Sequence, residues 1–139
     1  MFVSEDDYRV VIGKLALQIV SQTDEETRES AELEAVEEIS GYLRPVYDVD
    51  EIFATEGTDR NSRIVMITCD IALYHMTAST PGRMGAEVRK ERYDQAIDWL
   101  KDVQAGDIIP DLPLVTDEDT GQTGMPLYCG SLRPIRNTW

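Results

Sequence analysis

The chain has 139 residues, a length typical of a single domain, and 42% of them are hydrophobic, which allows a modest core and excludes a compositionally disordered protein. The formal net charge is -14, with 13 basic and 27 acidic residues, so the surface repels nucleic acid and anionic membranes at long range. Such a charge suits solubility, a basic protein partner, or a surface that must not adhere to DNA.

The charge is unevenly distributed. Residues 1–58 contain 15 acidic and 4 basic residues, residues 59–106 contain 7 of each, and residues 107–139 contain 5 acidic and 2 basic residues. The acidic character therefore belongs mainly to the N-terminal part.

Two cysteines, Cys69 and Cys129, are too few for a disulfide framework and form no CxxC pair. This favours an intracellular, reduced protein. The opening "MFVSEDDY" lacks the basic and apolar regions of a secretory signal, and no apolar run is long enough to span a bilayer. We expect a soluble protein made in the cytoplasm, without a membrane partner.

The first predicted helix runs over about residues 5–20. Ser4 is placed to cap it, with Asp7 three residues later and acidic residues in the first turn. Apolar residues then recur at helical spacing and predict one buried face, formed by Tyr8, Val11, Ile12, Leu15 and Ile19.

A second helix is predicted to run up to Pro45, whose ring and missing N–H end it. Gly41 has two interpretations, close packing of this helix against a neighbour or fraying before the proline. Residues 46–58 are predicted to form a loop that Ile52 and Phe53 attach to the core. The predicted inner face of the helix consists of Ala31, Ala35, Val36, Ile39, Tyr42 and Leu43, and its remaining positions carry Glu29, Glu32, Glu34, Glu37 and Glu38.

A third helix is predicted over about residues 59–78, where "IVMITCDIALYHM" is apolar on nearly all sides, as is typical of the central, most buried helix. A fourth is predicted over residues 86–105, with Gly106 as its C-terminal stop. The fold class predicted is all-α, a small antiparallel bundle of about four helices with an extended C-terminal arm. The inner stripe of the fourth helix consists of Tyr93, Ala96, Ile97, Leu100 and Val103, beside Trp99.

The last 33 residues differ in composition from the helical part. Prolines and glycines exclude long helices there and separate the short apolar stretches "LPLV" and "MPLY". We therefore predict a helical domain over residues 1–106 and an extended arm over residues 107–139. The arm is either a disordered terminus or a segment that orders on a partner. Arg133, Arg136 and Trp139 favour the second interpretation, because Trp and Arg commonly anchor interfaces.

Residue types that carry catalysis or bind metals are scarce. The single histidine, His75, lies on the apolar third helix, where a core or interface role is the usual one, and Cys69 on the same helix resembles a small apolar residue. "DEDTG", residues 117–121, does not complete a calcium loop. The sequence has no zinc-ligand spacing and no phosphate loop. We predict no catalytic, cofactor-binding or metal-binding residues, and no cofactor.

Two oppositely charged helix faces are the candidate interfaces. Glu34, Glu37 and Glu38 belong to the acidic face of the second helix, and Arg89, Lys90 and Arg92, preceded by Arg83, form a basic run on the fourth. The acidic face is either a solvated surface or a contact for a basic partner. The basic residues either pair inside the bundle with neighbouring acidic residues or meet the second helix of another copy. Separate acidic and basic faces permit head-to-tail assembly, which can close into rings.

Four segments in order resemble the Mu-type head–tail connector proteins, also called neck or head-completion proteins, of tailed bacteriophages and prophages. They are the acidic "DD" helix start, "EEISGYLRPVYD", "CDIALYHM" and "ERYDQAIDWLKDVQAGDI", and the resemblance covers roughly residues 4–115. The loop at 46–58 and the final 33 residues are longer than the core pattern of this family requires. The matching residues are Asp6, Asp7, Glu38, Ile39, Gly41, Tyr42, Leu43, Tyr47, Asp70, Ile71, Ala72, Tyr74, Arg92, Tyr93, Ala96, Trp99, Leu100 and Gly106.

The resemblance implies a structural protein of the virion neck without catalytic residues. Such connectors form a ring beneath the portal, usually twelvefold, which extends the DNA channel and docks the next neck or tail protein. DNA would pass through without specific binding, which suits an acidic wall because bound phosphates would hold the genome.

Two other functions remain open. An acidic module that mimics DNA could inhibit a nucleic-acid enzyme, and would carry carboxylates at phosphate spacing. A small enzyme using Cys69 and His75 would need a reactive thiol and a cavity beside the third helix.

Overall fold

The computed structural model describes residues 1–21, 24–79 and 85–116. Within these residues the chain forms α-helices and a short 3-10 turn at Gly57–Asp59, and the predicted all-α bundle is confirmed. The only β-pairing in these ranges is an isolated antiparallel bridge between Tyr47 and Leu114. The helices are α1 (Glu5–Ile12), α2 (Lys14–Val20), α3 (Glu25–Leu43), α4 (Val49–Ala54), α5 (Ser62–Ser79) and α6 (Ala86–Ala105).

The predicted central helix is α5. It packs against α1, α2, α3 and α6, and its side chains are buried on more than one face. Ile64 and Ile71 lie on one face of the helix and Leu73 lies on the opposite face, yet none of the three has exposed surface. A helix with this pattern must be covered on several sides, and the other elements supply that cover.

The first predicted helix is wrong in one respect, because Gly13 divides it into α1 and α2. Gly13 has φ 82° and ψ 155°, a conformation that ends α1 and that residues with a Cβ rarely adopt. The turn rotates the following helix, so Leu15 and Ile19, which were predicted to be buried, are 73% and 43% exposed. Leu17 and Val20 are buried instead. The Ser4 cap is confirmed, since Ser4 and Asp7 form a reciprocal capping box at the start of α1.

The inner face of α3 follows the prediction in its main positions. Ala31, Ala35, Ile39 and Leu43 are buried, and α3 packs against α5 and α6. The small alanines allow this close approach. Gly41 faces open space within the subunit, because a Cβ built on it meets no atom within 4 Å. Close packing of Gly41 is therefore not a feature of the described part of the subunit.

The predicted loop at 46–58 contains a helix, α4. The Asp48 side chain caps it by accepting a hydrogen bond from the Glu51 N–H, and Ile52 is buried in the core. Phe53 is half-buried against the same core, so the predicted attachment of this segment through Ile52 and Phe53 is confirmed. The cap at Asp48 explains why a short helix forms where the loop was expected.

The fourth predicted helix is α6, with the predicted bounds and stop. Gly106 has φ 76°, and its N–H donates to the Asp102 and Val103 carbonyls. Beyond it, residues 107–116 lie against the bundle: the Asp48 N–H donates to the Pro113 carbonyl and the Val115 N–H to the Val46 carbonyl. The division of the chain at residue 106 stays a prediction, and residues 117–139 lie outside the described ranges.

The two glycines provide a matched test of the backbone. Gly13→Ala should lower the free energy of unfolding by about 1–3 kcal/mol, because alanine is strained at this positive φ. Gly41→Ala should raise it by about 0.5–1 kcal/mol, because Gly41 lies inside α3 and the added Cβ meets nothing within 4 Å. Urea unfolding of both variants measures these changes. Equal changes in the free energy of unfolding for the two variants would contradict the positive φ at Gly13 and the helical conformation at Gly41.

Candidate assembly surfaces

The acidic face of α3 comprises Glu34, Glu37 and Glu38, and its members differ in exposure. The side chains of Glu34 and Glu37 are 61% and 76% exposed, whereas that of Glu38 is 27% exposed. Glu37 lies 3.7 Å from Arg44, and both side chains are exposed, so this pair contributes little to stability. Glu34 and Glu37 therefore present negative charge to the outside of the bundle.

Glu38 is held by a cluster that joins α3, α5 and α6. Its carboxylate accepts a 2.5 Å hydrogen bond from the Tyr93 hydroxyl, and its other oxygen lies 3.3 Å from His75 Nε2. The Tyr93 ring stacks on Tyr74 at a centroid distance of 4.1 Å. Burial and the hydrogen bond to Glu38 raise the pKa of Tyr93. His75 thus lies 3.8 Å from Glu34 and against Tyr93, in a packing contact between helices.

The three residues of the basic run of α6 differ in exposure. Arg89 is 8% exposed, and Arg92 binds Asp70 of α5 through two contacts, 2.7 Å from Nε to Oδ1 and 3.0 Å from Nη2 to Oδ2. Lys90 is exposed and pairs with Asp94 at 3.1 Å. Lys90 is the most exposed of the three, with 62% of its side chain in solvent, whereas the Arg92 side chain is 35% exposed and is held to α5 by Asp70.

Cys69 does not have the surroundings of an activated thiol. It is fully buried in α5, and burial together with the nearby Asp7 carboxylate raises the pKa of its thiol. A thiolate, which is the reactive form, is therefore disfavoured. The residues described contain no group of three or more His, Cys, Asp or Glu side chains arranged to hold a metal ion.

The sequence did not predict a groove that lies beside α3. Its cavity has a volume of about 490 Å³ and lies between the N-terminal segment, α3 and α4. Leu33 and Met1 at its edge are 71% and 67% exposed. The lining residues are Met1, Phe2, Glu29, Glu32, Leu33, Val36, Phe53, Ala54, Thr55 and Glu56.

One wall of the groove is the N-terminal segment, which is fixed at several points. The Phe2 and Val3 N–H groups donate to Glu32 Oε1 at 2.8 and 3.0 Å, and Arg60 Nη1 donates to the Phe2 carbonyl at 2.8 Å. The Phe2 ring packs edge-on against Phe53 at a centroid distance of 5.0 Å. These contacts attach the segment to α3 and α4.

Arg60 also connects this wall to α1. Its Nη1 donates to Asp7 Oδ2 at 2.7 Å, and both side chains are mostly buried. Burial alone would raise the pKa of Asp7, but the hydrogen bonds from Arg60 and Ser4 outweigh it and hold that pKa below its usual value. The Arg60 guanidinium thus binds both the first turn of α1, through Asp7, and the segment before it, through the Phe2 carbonyl.

The sequence pattern placed Glu32 on the polar side of its helix, and this prediction was wrong. Glu32 is 3% exposed, and its Oε2 atom has no hydrogen-bond partner. Burial raises its pKa, although the Val3 and Phe2 N–H groups oppose the shift. The spacing of Glu32 in the sequence could have indicated its burial. It lies three residues before Ala35 and four before Val36, and so borders the apolar stripe of the helix.

Several predicted residues lie outside the described ranges. They are Arg83 of the basic run, Cys129, and the arm residues Arg133, Arg136 and Trp139, together with the acidic turn at 117–121. The interface roles of the three arm residues stay predictions.

Comparison with known proteins identifies a family. The family described as Bacteriophage Mu, Gp36 matches residues 3–126, which is most of the chain and includes every helix described. No curated protein and no solved structure matches the chain. The predicted resemblance to a Mu-type phage family is confirmed by this match.

The two acidic partners of the basic run provide a test of its role inside the subunit. Asp70→Asn should lower the free energy of unfolding by about 2 kcal/mol, because Asp70 is buried and its loss leaves Arg92 without its charged partner. Asp94→Asn should change it by less than about 1 kcal/mol, because the Lys90–Asp94 pair is exposed. Urea unfolding at neutral pH compares the two, and a larger loss for Asp94→Asn would refute the assignment.

Proposed function

Because the chain belongs to the family described as Bacteriophage Mu, Gp36, and is therefore a phage structural protein, we propose that it is a head–tail connector subunit. In this proposal copies assemble as a ring below the portal, extend the DNA channel, and dock the next neck or tail protein. The observation that carries it is the family match over residues 3–126. The proposal places the protein in the virion neck.

The surface charge supports a role beside passing DNA. Glu34 and Glu37 project from α3 with most of their side chains exposed, and the whole chain has a formal net charge of -14. A wall with this charge repels phosphates, so DNA would slide past without being held.

The described residues contain no helix with the length and apolarity required to cross a membrane.

Ring formation needs two unlike surfaces on each copy. A head-to-tail contact joins one surface of a subunit to a different surface of its neighbour, and closes when the rotation between copies allows it. In the proposed ring, which would be twelvefold as usual in the family, exposed Lys90 on α6 faces the acidic face of a neighbouring α3. The full candidate interface is Arg89, Lys90, Arg92, Glu34, Glu37, Glu38, Arg133, Arg136 and Trp139.

Arg89 and Arg92 would act differently from Lys90. Arg92 holds α6 to α5 through Asp70, and Arg89 is buried near the start of α6. Both would therefore support the surface that carries Lys90, so reversing the charge of Arg89 would disturb the bundle as well as any assembly. Lys90 is the residue of the run at which assembly can be tested apart from folding.

The test is purification of the chain with the portal protein encoded near it, followed by negative-stain electron microscopy. The proposal predicts an added ring on the lower face of the portal. Lys90→Glu should reduce ring occupancy, whereas Lys101→Glu, the same change at another exposed lysine of α6, should leave it as in the parent chain. Circular dichroism checks that both variants keep the helical fold.

A chain that stays a compact monomer in the presence of the portal would contradict the connector function. Tight binding to a basic nucleic-acid enzyme under the same conditions would support the DNA-mimic alternative instead. Equal loss of rings in both lysine variants would show that total charge matters and that Lys90 makes no specific contact.

A further inference from the structure

The groove between the N-terminal segment, α3 and α4 has the features of a peptide-binding surface. It offers about 490 Å³, and its walls are formed by aromatic and aliphatic side chains such as Phe2, Phe53 and Val36. Leu33 at its edge is 71% exposed, which leaves an anchor-sized apolar side chain in water. Grooves of this kind bind extended or helical segments through a few apolar anchors.

The charges of the groove restrict what can bind there. Its lining contains three carboxylates, Glu29, Glu32 and Glu56, and no Lys or Arg side chain, and the Met1 amino group is its one positive group. Glu32 is 3% exposed, and its Oε2 atom has no hydrogen-bond partner, so a buried acceptor at the groove remains unsatisfied. A bound segment needs apolar side chains to cover the walls of the groove. It also needs hydrogen-bond donors or positive charge to pair with the carboxylates, including the unpaired Glu32 Oε2.

The C-terminal part of the chain has this composition. Residues 120–139 contain no acidic residue and carry two cations, Arg133 and Arg136, among apolar residues that end in Trp139. The side chains of this stretch therefore carry a net positive charge, although the chain as a whole is acidic. Its composition is complementary to that of the groove, in apolar content and in charge.

We propose that the groove binds residues 126–139 of a neighbouring copy, a contact that rests on the proposed ring. Groove and C-terminal segment are unlike surfaces of the same chain, so binding between copies is head-to-tail and can continue around a ring. The described chain ends at Thr116, next to Val115, whose N–H is bonded to the Val46 carbonyl. The connection over residues 117–125 can span up to about 30 Å, which is sufficient to reach an adjacent subunit.

Disulfide trapping between two differently labelled chains tests this contact. Both chains carry Cys129→Ser, one carries Leu33→Cys, and the other carries Asn137→Cys. Mixing the two concentrated full-length chains under mild oxidation should give a cross-linked heterodimer, and high salt should reduce its yield several-fold because the contact is charge-assisted. The buried Cys69 thiol is retained in both chains, because it is fully covered in the core.

The matched control is Leu15→Cys. Leu15 is 73% exposed, close to the 71% of Leu33, but it lies on α2 outside the groove. Equal yields from Leu33→Cys and Leu15→Cys would show random collision and overturn the proposal. A disulfide that forms only when both cysteines are placed in one chain would overturn it as well, because the segment would then occupy its own groove.

The experiment separates this contact from the connector function because it contains no portal protein. Rings on the portal without the Leu33–Asn137 cross-link would leave the connector function standing and overturn the groove contact. The cross-link without any portal binding would support the groove contact and contradict the connector function.

Discussion

The burial of α5 is the constraint on which the rest of the structure depends. Its apolar side chains point to several sides, so this helix can be stable only when other elements surround it. α1, α2, α3 and α6 provide that cover, and a buried carboxylate within α5, Asp70, is matched by Arg92 from α6. The central helix therefore determines which face of each surrounding helix remains available for contacts outside the subunit.

The same arrangement explains why charged and apolar side chains are unevenly distributed over the surface of the bundle. The basic run of α6 is partly used to satisfy Asp70, and Glu38 of α3 is used to bind Tyr93. Glu34 and Glu37 are left exposed on one side of α3, and an apolar groove with acidic residues is left on another. A subunit with two such surfaces is suited to assembly by contact.

The sequence was sufficient to predict the elements whose patterns are long and regular. The apolar run of α5, the alanine and isoleucine stripe of α3, and the Gly106 stop of α6 each depend on local spacing that persists in the structure. The all-α class and the phage family followed from those patterns and from the order of four segments. The acidic face of α3 was also visible as a helical pattern.

The elements that were missed depend on single residues or on contacts between distant ones. Gly13 adopts an extended conformation with positive φ, which rotates the buried face of the helix that follows. The spacing of apolar residues alone does not predict such a turn. The cap at Asp48 nucleates only six residues of helix. Glu32 is buried because residues 2 and 3 donate hydrogen bonds to it, and that pairing spans about 30 positions.

We propose that this protein acts through its surfaces, with α5 as an unchanging core. Hydrogen–deuterium exchange of the chain, alone and bound to the portal, tests this proposal most directly. We expect slow exchange in α5 in both states, with new protection confined to surface segments such as the groove residues of α3 and α4 and the start of α6. Protection gained mainly in α5, or no change anywhere on binding, would contradict it.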